Sequence, residues 1–181
     1  MIKIVENPPL VENYKEFILV KEKFLDHSIC DQLINEHQTK VSAGSSINYR
    51  GTFNKYNLDK NHYIHNYFIN LWDEVTAYFG TKIDFIEPYN IKKYQFGNFY
   101  DYHVDNFSSI LDRKLTFVVQ LSDSKDYRNG NLIVAGQDMT REKGSVIVFP
   151  SNFKHKVDMI GFGERWTLIT WAWGSLFNRG Y

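Results

Sequence analysis

Between Tyr63 and Phe79, apolar side chains recur at helical spacing. Tyr63, Ile64, Tyr67, Phe68, Leu71, Trp72, Val75, Tyr78 and Phe79 fall on one stripe. Gly80 is a natural stop, so the pattern predicts a helix over 61–80. A shorter stripe, Ile29, Cys30, Leu33, Ile34 and His37, predicts an earlier helix, with Asp26 or Ser28 placed to cap it. Cys30 then belongs to the core, and His37 ends the stripe as a snorkelling side chain. Beyond Gly80 the period changes. Short apolar runs between turn residues predict strands at 83–86, 90–96, 100–105, 114–121, 131–135, 145–149, 154–159 and 165–173, after an isolated one at 17–20. In 114–121, Leu115, Phe117, Val119 and Leu121 face one way, and Thr116, Val118 and Gln120 the other. Asp123-Ser124-Lys125-Asp126 and Arg128-Asn129-Gly130 read as hairpin loops. Lys40 to Lys60, rich in Ser, Gly and Asn, has no sustained period and reads as a long loop of the kind that carries function.

Two helices followed by about eight antiparallel strands predict a mainly β fold. Its core is a double-stranded β-helix, or jelly roll, with the N-terminal helices packed outside. The length of 181 residues suits a single domain, with helical support over 1–80 and the jelly-roll core over 81–175. Composition narrows the picture only a little. Hydrophobic residues make up 43% and charged residues 23%, which reads as globular. Net charge is zero with no strongly basic run, which argues against a nucleic-acid partner. Cys30 is the only cysteine, so no intrachain disulfide can form and nothing suggests an oxidising compartment. The first residues lack a signal pattern and no apolar run reaches membrane-spanning length. The expectation is a soluble cytoplasmic protein without a membrane partner. Its oligomeric state is not legible.

The candidate chemistry lies in KYQFGNFYDYHVDNF, Lys93 to Phe107. In an extended strand His103 and Asp105, two apart, project from one face. Two imidazoles and one carboxylate on one face suit a non-haem Fe(II) whose remaining positions stay open. The second imidazole must come from elsewhere, and His155 in FPSNFKHKV is the best placed. Alone, the tripeptide is weak: a chain with 6 His and 12 Asp in 181 residues contains His-x-Asp about 0.4 times by chance. A hydrogen-bonded His–Asp pair is the ordinary alternative. His62 and His65, three apart on the long helix, could also face one way but lack a third ligand. Ten residues after His155 stands Arg165, on RWTLITWAW, where Arg165, Thr167, Ile169 and Trp171 share a face. A guanidinium and a hydroxyl two apart can grip a carboxylate. The alternative for Arg165 is an ion pair with Glu164. Trp166 and Trp173 are expected in the core. The spacing Tyr94-x-x-Gly97-x-x-Tyr100-x-x-His103-x-Asp105 adds two phenols and a glycine where the chain must turn.

These residues resemble those of the Fe(II)/2-oxoglutarate-dependent dioxygenases, in particular the prolyl 4-hydroxylase-like branch. The resemblance covers about residues 90–175, and 24–38 is similar to the helix before that family's core. It implies that His103, Asp105 and His155 hold Fe(II). It implies that Arg165 pairs with the distal carboxylate of 2-oxoglutarate, assisted by Tyr94 and Thr167. Tyr100 and Trp171 fall where the family places substrate-facing aromatics. The implied activity is hydroxylation of an unactivated C–H bond with O2, releasing succinate and carbon dioxide, ascorbate supporting. The implied substrate is a prolyl residue in a peptide or protein. A free amino acid or other small metabolite is the alternative, and a non-catalytic jelly-roll binding module is a further one. Two departures stand out. Collagen-type enzymes carry Lys where this chain has Arg165, and the glycine pair common after the loop reads Gly130-Asn131. Selectivity is expected from the segments 40–60 and 107–114.

Overall fold

A computed structural model describes residues 14–38, 42–46, 49–55, 62–106 and 113–174. In chain order the elements are β1 (Leu19–Lys21), α1 (His27–His37), β2 (Ser42–Ser46), β3 (Tyr49–Lys55), α2 (Ile64–Phe79), β4 (Ile83–Ile86), β5 (Asn90–Gln95), β6 (Phe99–His103) and β7 (Arg113–Gln120). Then come β8 (Tyr127–Asn129), β9 (Leu132–Val134), β10 (Gln137–Asp138), β11 (Val146–Pro150), β12 (His155–Val157) and β13 (Ile160–Gly174). The strands join in the order β1-β11-β7-β13-β5-β3-β6-β12-β9-β10, with β2 beside β3 and both β4 and β8 beside β13.

Period-2 alternation explains how this ladder becomes a jelly roll. On β7, β11 and β13 both faces are buried. Leu115, Phe117 and Val119, with Val146, Val148, Trp166 and Leu168, share one cluster with α1 and α2. Their alternate neighbours Val118, Ile147, Phe149 and Ile169 form a second cluster with Leu132, Val134 and Val157 of β9 and β12. The ladder therefore folds over, and the inner faces of its two halves meet. The helices cover the outside of one half, using the stripe that the sequence predicts. Phe68 is its centre, 1% exposed, with ring centroids of Phe24, Tyr89 and Phe117 at 5.1, 4.9 and 5.9 Å. Gly80 ends α2 in the left-handed conformation that suits glycine.

Several expectations need correction. Much of 40–60 is a β-hairpin: β2 pairs with β3, and β3 then pairs with both β5 and β6. Residues 40, 41, 47, 48 and 56–60 of that stretch, and 107–112 of the second selectivity segment, lie outside the described residues. Asp26 occupies the N-cap position of α1, but its side chain makes no capping bond. His37 does not snorkel. It is 2% exposed, and its Nδ1 lies 2.7 Å from the Leu33 carbonyl. Arg128 and Asn129 belong to β8 instead of a turn. Trp173 is half-buried and donates its indole N–H to Glu87 at 2.6 Å, whereas Trp166 and Cys30 are core as expected. Strand β13 begins five residues earlier than predicted. Among the described residues no helix is long and apolar enough to cross a membrane.

Phe68→Ala should cost about 3–5 kcal/mol of unfolding free energy, since a ring wedged between helix and sheet leaves a cavity. Urea denaturation checks this. A loss under about 1 kcal/mol would mean that helix and sheet are not packed through this ring.

Candidate metal centre

His103 and His155 stand directly opposite each other where β6 pairs with β12. Their ring centroids are 4.1 Å apart. Asp105 joins them by a different route from the one expected. Strand β6 ends at His103, so strand alternation does not place the carboxylate. The chain bends instead, and the Asp105 amide donates to the Ser151 carbonyl at 2.8 Å. One carboxylate oxygen then accepts from the Thr116 hydroxyl on β7 at 2.8 Å, and Thr116 Oγ1 lies 3.0 Å from Ser151 Oγ. The result is three donor atoms all within 4.8 Å of one another. Asp105 Oδ1 is 3.6 Å from His103 Nε2, and Oδ2 is 3.3 Å from His155 Nε2.

The tautomers suit ligation. Each Nδ1 lies at hydrogen-bond distance from a backbone carbonyl: His103 from Asp101 at 2.8 Å and His155 from Phe153 at 2.9 Å. With Nδ1–H donating, each Nε2 keeps its lone pair for a metal. Burial, then the neighbouring His155, lower the His103 pKa to about 4, against the pull of Asp105. His103 is thus neutral at ordinary pH. Burial opposes ionisation of Asp105, but hydrogen bonding and charge from His155, then Trp171 and His103, hold it well below the usual carboxylate range. The Trp171 indole N–H contributes from short of full hydrogen-bond geometry. Neutral imidazoles and an ionised carboxylate are the states a divalent ion needs.

A cavity of about 600 Å³ opens over this cluster, walled by Glu87, Lys92, Tyr100, Arg113 and Trp171 among others. A smaller pocket of about 20 Å³ runs inward past His155 to Tyr94 and Arg165. At that size it holds little more than a water. A diacid reaching Arg165 must draw on the outer cavity, whose walls the inner pocket shares at Lys92, Tyr100, His103, Asp105 and Trp171.

Arg165 is 1% exposed and has no carboxylate partner among the described residues. It donates to the Gln120 side-chain oxygen at 3.0 Å, and its carbon Cζ sits 5.7 Å from the Tyr94 ring centroid. Its Nε, and the hydroxyl of fully buried Thr167, meet no hydrogen-bond partner. The expected alternative, an Arg165–Glu164 pair, does not occur: Glu164 pairs with Lys93 at 2.5 Å. A buried guanidinium facing a neutral acceptor is costly unless an anion joins it. The orphaned Nε and hydroxyl therefore fit the distal carboxylate of a keto-diacid.

Tyr100 lies flat on His103, with centroids 3.7 Å apart and planes 14° from parallel. Trp171 faces the same cavity, its ring 3.9 Å from the Arg113 guanidinium carbon. The structure thus brings Tyr94, Arg165 and Thr167 to the inner end, and Tyr100 and Trp171 to the outer. His62 and His65 are structural: His62 Nε2 is 3.8 Å from a Glu36 oxygen, and His65 Nδ1 is 3.0 Å from the Tyr89 hydroxyl. Sequence reasoning missed Thr116, Gln120, Lys92 and the Glu87–Arg113 pair. The same period-2 rule that paired Arg165 with Thr167 could have found Lys92, which shares a face with Tyr94.

A jelly roll carrying a candidate two-histidine, one-carboxylate centre is the class of protein that fold and site define. Residues 89–173 match the sequence profile of the 2OG-Fe(II) oxygenase superfamily. That match places the chain in the superfamily, and its fold is that of the prolyl-4-hydroxylase-like branch. A PKHD-type hydroxylase of Alteromonas mediterranea is 32% identical over 97 residues, covering 48% of this chain and 43% of the relative. One from Prochlorococcus marinus is 34% identical over 89 residues, covering 45% and 38%. The chain thus spans less than half the length of these curated relatives. Among solved structures, a Pseudomonas putida prolyl-4-hydroxylase superposes with a TM-score of 0.70 at 18% identity, covering 88% of this chain and 94% of that one. A Trichoplax adhaerens prolyl hydroxylase in complex with a hypoxia inducible factor peptide fragment gives 0.69 at 18%, covering 88% and 84%.

Two variants test the centre. His155→Ala should abolish tight Mn(II) binding in a calorimetric titration, because two donors remain. Thr116→Val should weaken Mn(II) binding by about tenfold while leaving the fold intact, since the hydroxyl orients the ligating carboxylate. Unchanged Mn(II) affinity in His155→Ala would mean that the third ligand is another residue.

Proposed function

We propose that this chain is an Fe(II)- and 2-oxoglutarate-dependent dioxygenase that hydroxylates a prolyl residue in a peptide or protein. The observation that carries the reading is the pairing of two features in one cavity. His103, Asp105 and His155 present three donors on one side, and Arg165 waits further in as a buried cation. Fe(II) with 2-oxoglutarate and O2 would supply, at those three donors, oxidation of an unactivated C–H bond coupled to release of succinate and carbon dioxide.

The protein's part is to bind, orient and exclude water. Three protein donors on one face leave the opposite positions open to a bidentate keto-acid and to oxygen. Arg165 and Thr167, with the Tyr94 ring behind the guanidinium, receive the distal carboxylate and set the cosubstrate's direction. Gln120 holds one guanidinium nitrogen so that the fork enters the site already aimed. Tyr100 and Trp171 offer apolar faces to the substrate beside the metal at little conformational cost. The prolyl assignment is supported by the likeness of fold to prolyl hydroxylases, one of them holding a peptide. A binding module with a relic site is the weaker reading, because it has no use for a buried guanidinium beside an intact donor set.

The test is succinate release from 2-oxoglutarate with Fe(II) and ascorbate, with mass spectrometry of proline-containing peptides for a gain of one oxygen. Arg165→Ala should raise the 2-oxoglutarate concentration for half-maximal rate at least tenfold, or about 1.4 kcal/mol, with Arg165→Lys in between. An unaltered 2-oxoglutarate titration in Arg165→Ala would remove the assigned role.

A further inference from the structure

Lys92 faces the cavity from β5, on the same side of the strand as Tyr94 and Asn90. None of the roles assigned so far uses it. It lines both the outer cavity and the inner pocket, so it stands where the two meet. Its ammonium nitrogen is 4.9 Å from the centroid of the Tyr100 ring, the ring that lies on His103. Of the charged groups that act on it, Asp105 attracts, and Arg165 and Arg113 repel. Burial, with those two cations, lowers its pKa to about 8 despite Asp105.

Charge balance shows what Lys92 lacks once the site is loaded. Arg113, the other cation of the outer cavity, is held bidentately by Glu87, with Nη2 2.6 Å from Oε2. A divalent ion on His103, Asp105 and His155 absorbs the Asp105 charge and keeps one positive charge of its own. That charge and Arg165 together match the two negative charges of 2-oxoglutarate. Lys92 was drawn to Asp105, and metal binding takes that attraction away. A desolvated cation beside a metal centre is costly unless an anion arrives. The remaining space is the outer cavity, which only the substrate enters.

We propose that Lys92 makes the outer cavity selective for a substrate that carries a carboxylate close to the carbon oxidised. This rests on the dioxygenase reading above. An ammonium is a point charge with rotatable donors, so it accepts a carboxylate from a range of directions. That chemistry has two sources. One is an Asp or Glu side chain next to the target residue of a peptide. The other is the α-carboxylate of a free amino acid or of a C-terminal residue.

The experiment offers the Fe(II)-loaded protein matched pairs. Proline peptides with Asp or Glu one or two positions from the proline face their Asn or Gln counterparts, and free proline faces prolinamide. Succinate and oxidised product are both measured. The acidic member of a responding pair should have kcat/KM at least tenfold higher in the wild type, a comparison that needs no variant. In Lys92→Met the ratio should fall below about threefold, and Lys92→Arg should keep most of it. Affinity of the same pairs for protein loaded with Mn(II) and the unreactive analogue N-oxalylglycine, by calorimetry, should show the same preference without turnover. A response among the peptides assigns the charge to a side chain, and one with free proline assigns it to the α-carboxylate. Succinate release with equal rates within every pair, or stimulation by amide members alone, overturns the proposal and leaves the dioxygenase reading intact. No succinate from the wild type under any condition, with equal affinity for acid and amide, removes both.

Discussion

The site depends on one strand register. His103 on β6 is opposite His155 on β12, and nothing else in the chain brings those residues near each other. A slip of one residue would turn one imidazole to the other face of the sheet. Both strands are short, so their own pairing can hold the register only weakly. The neighbours supply the rest: β6 is flanked by β3 on its other side, and β12 by β9, with His155 opposite Val134. Val134 and Val157 point into the inner core, so a slipped register would also expose the apolar set. Burial of that core is thus what keeps two ligands aligned.

Arg165 presents the opposite problem, a cation placed where water cannot reach it. The fold makes it tolerable through a neutral acceptor, Gln120, and an aromatic face, Tyr94, which sits opposite Arg165 where β5 meets β13. Gln120 is itself fixed, its amide donating to the Thr140 carbonyl at 3.0 Å. The guanidinium is therefore oriented before any diacid arrives. Little reorganisation remains to be done on binding, which is how a preorganised site gains affinity.

Much of this was legible because period and spacing carry it. The helix stripe through Phe68, the two-sided burial of 114–121 and the shared face of Arg165, Thr167 and Trp171 all follow from 3.6- and 2-residue periods. What escaped did so for physical reasons. The hairpin at 42–55 has the composition of a loop, and its pairing comes from β5 and β6, which no local pattern shows. Gly161 and Gly163 hid the first third of β13 by interrupting its alternation. Asp105 converges on His103 through tertiary hydrogen bonds to Ser151 and Thr116, while the strand rule assumed for it ends at His103. His37 was misjudged because its ring nitrogen finds a backbone carbonyl inside its own helix. Gln120, Lys92 and Glu87 carry no motif. They matter only through neighbours distant in the chain.

Strand β13 has a bearing on how the protein is made. Its fifteen residues pair in succession with β8, β5, β7 and β4, every one of which precedes it in the chain. During synthesis those four strands must wait with open edges until residues 160–174 have left the ribosome. Closure then happens late and across long sequence separations, which makes for slow folding. In that interval the apolar runs 115–121 and 146–149 are exposed next to unpaired backbone, the condition under which nascent chains associate. The step that completes the proposed cosubstrate pocket, by delivering Arg165, is therefore also the step that ends the chain's exposure to aggregation.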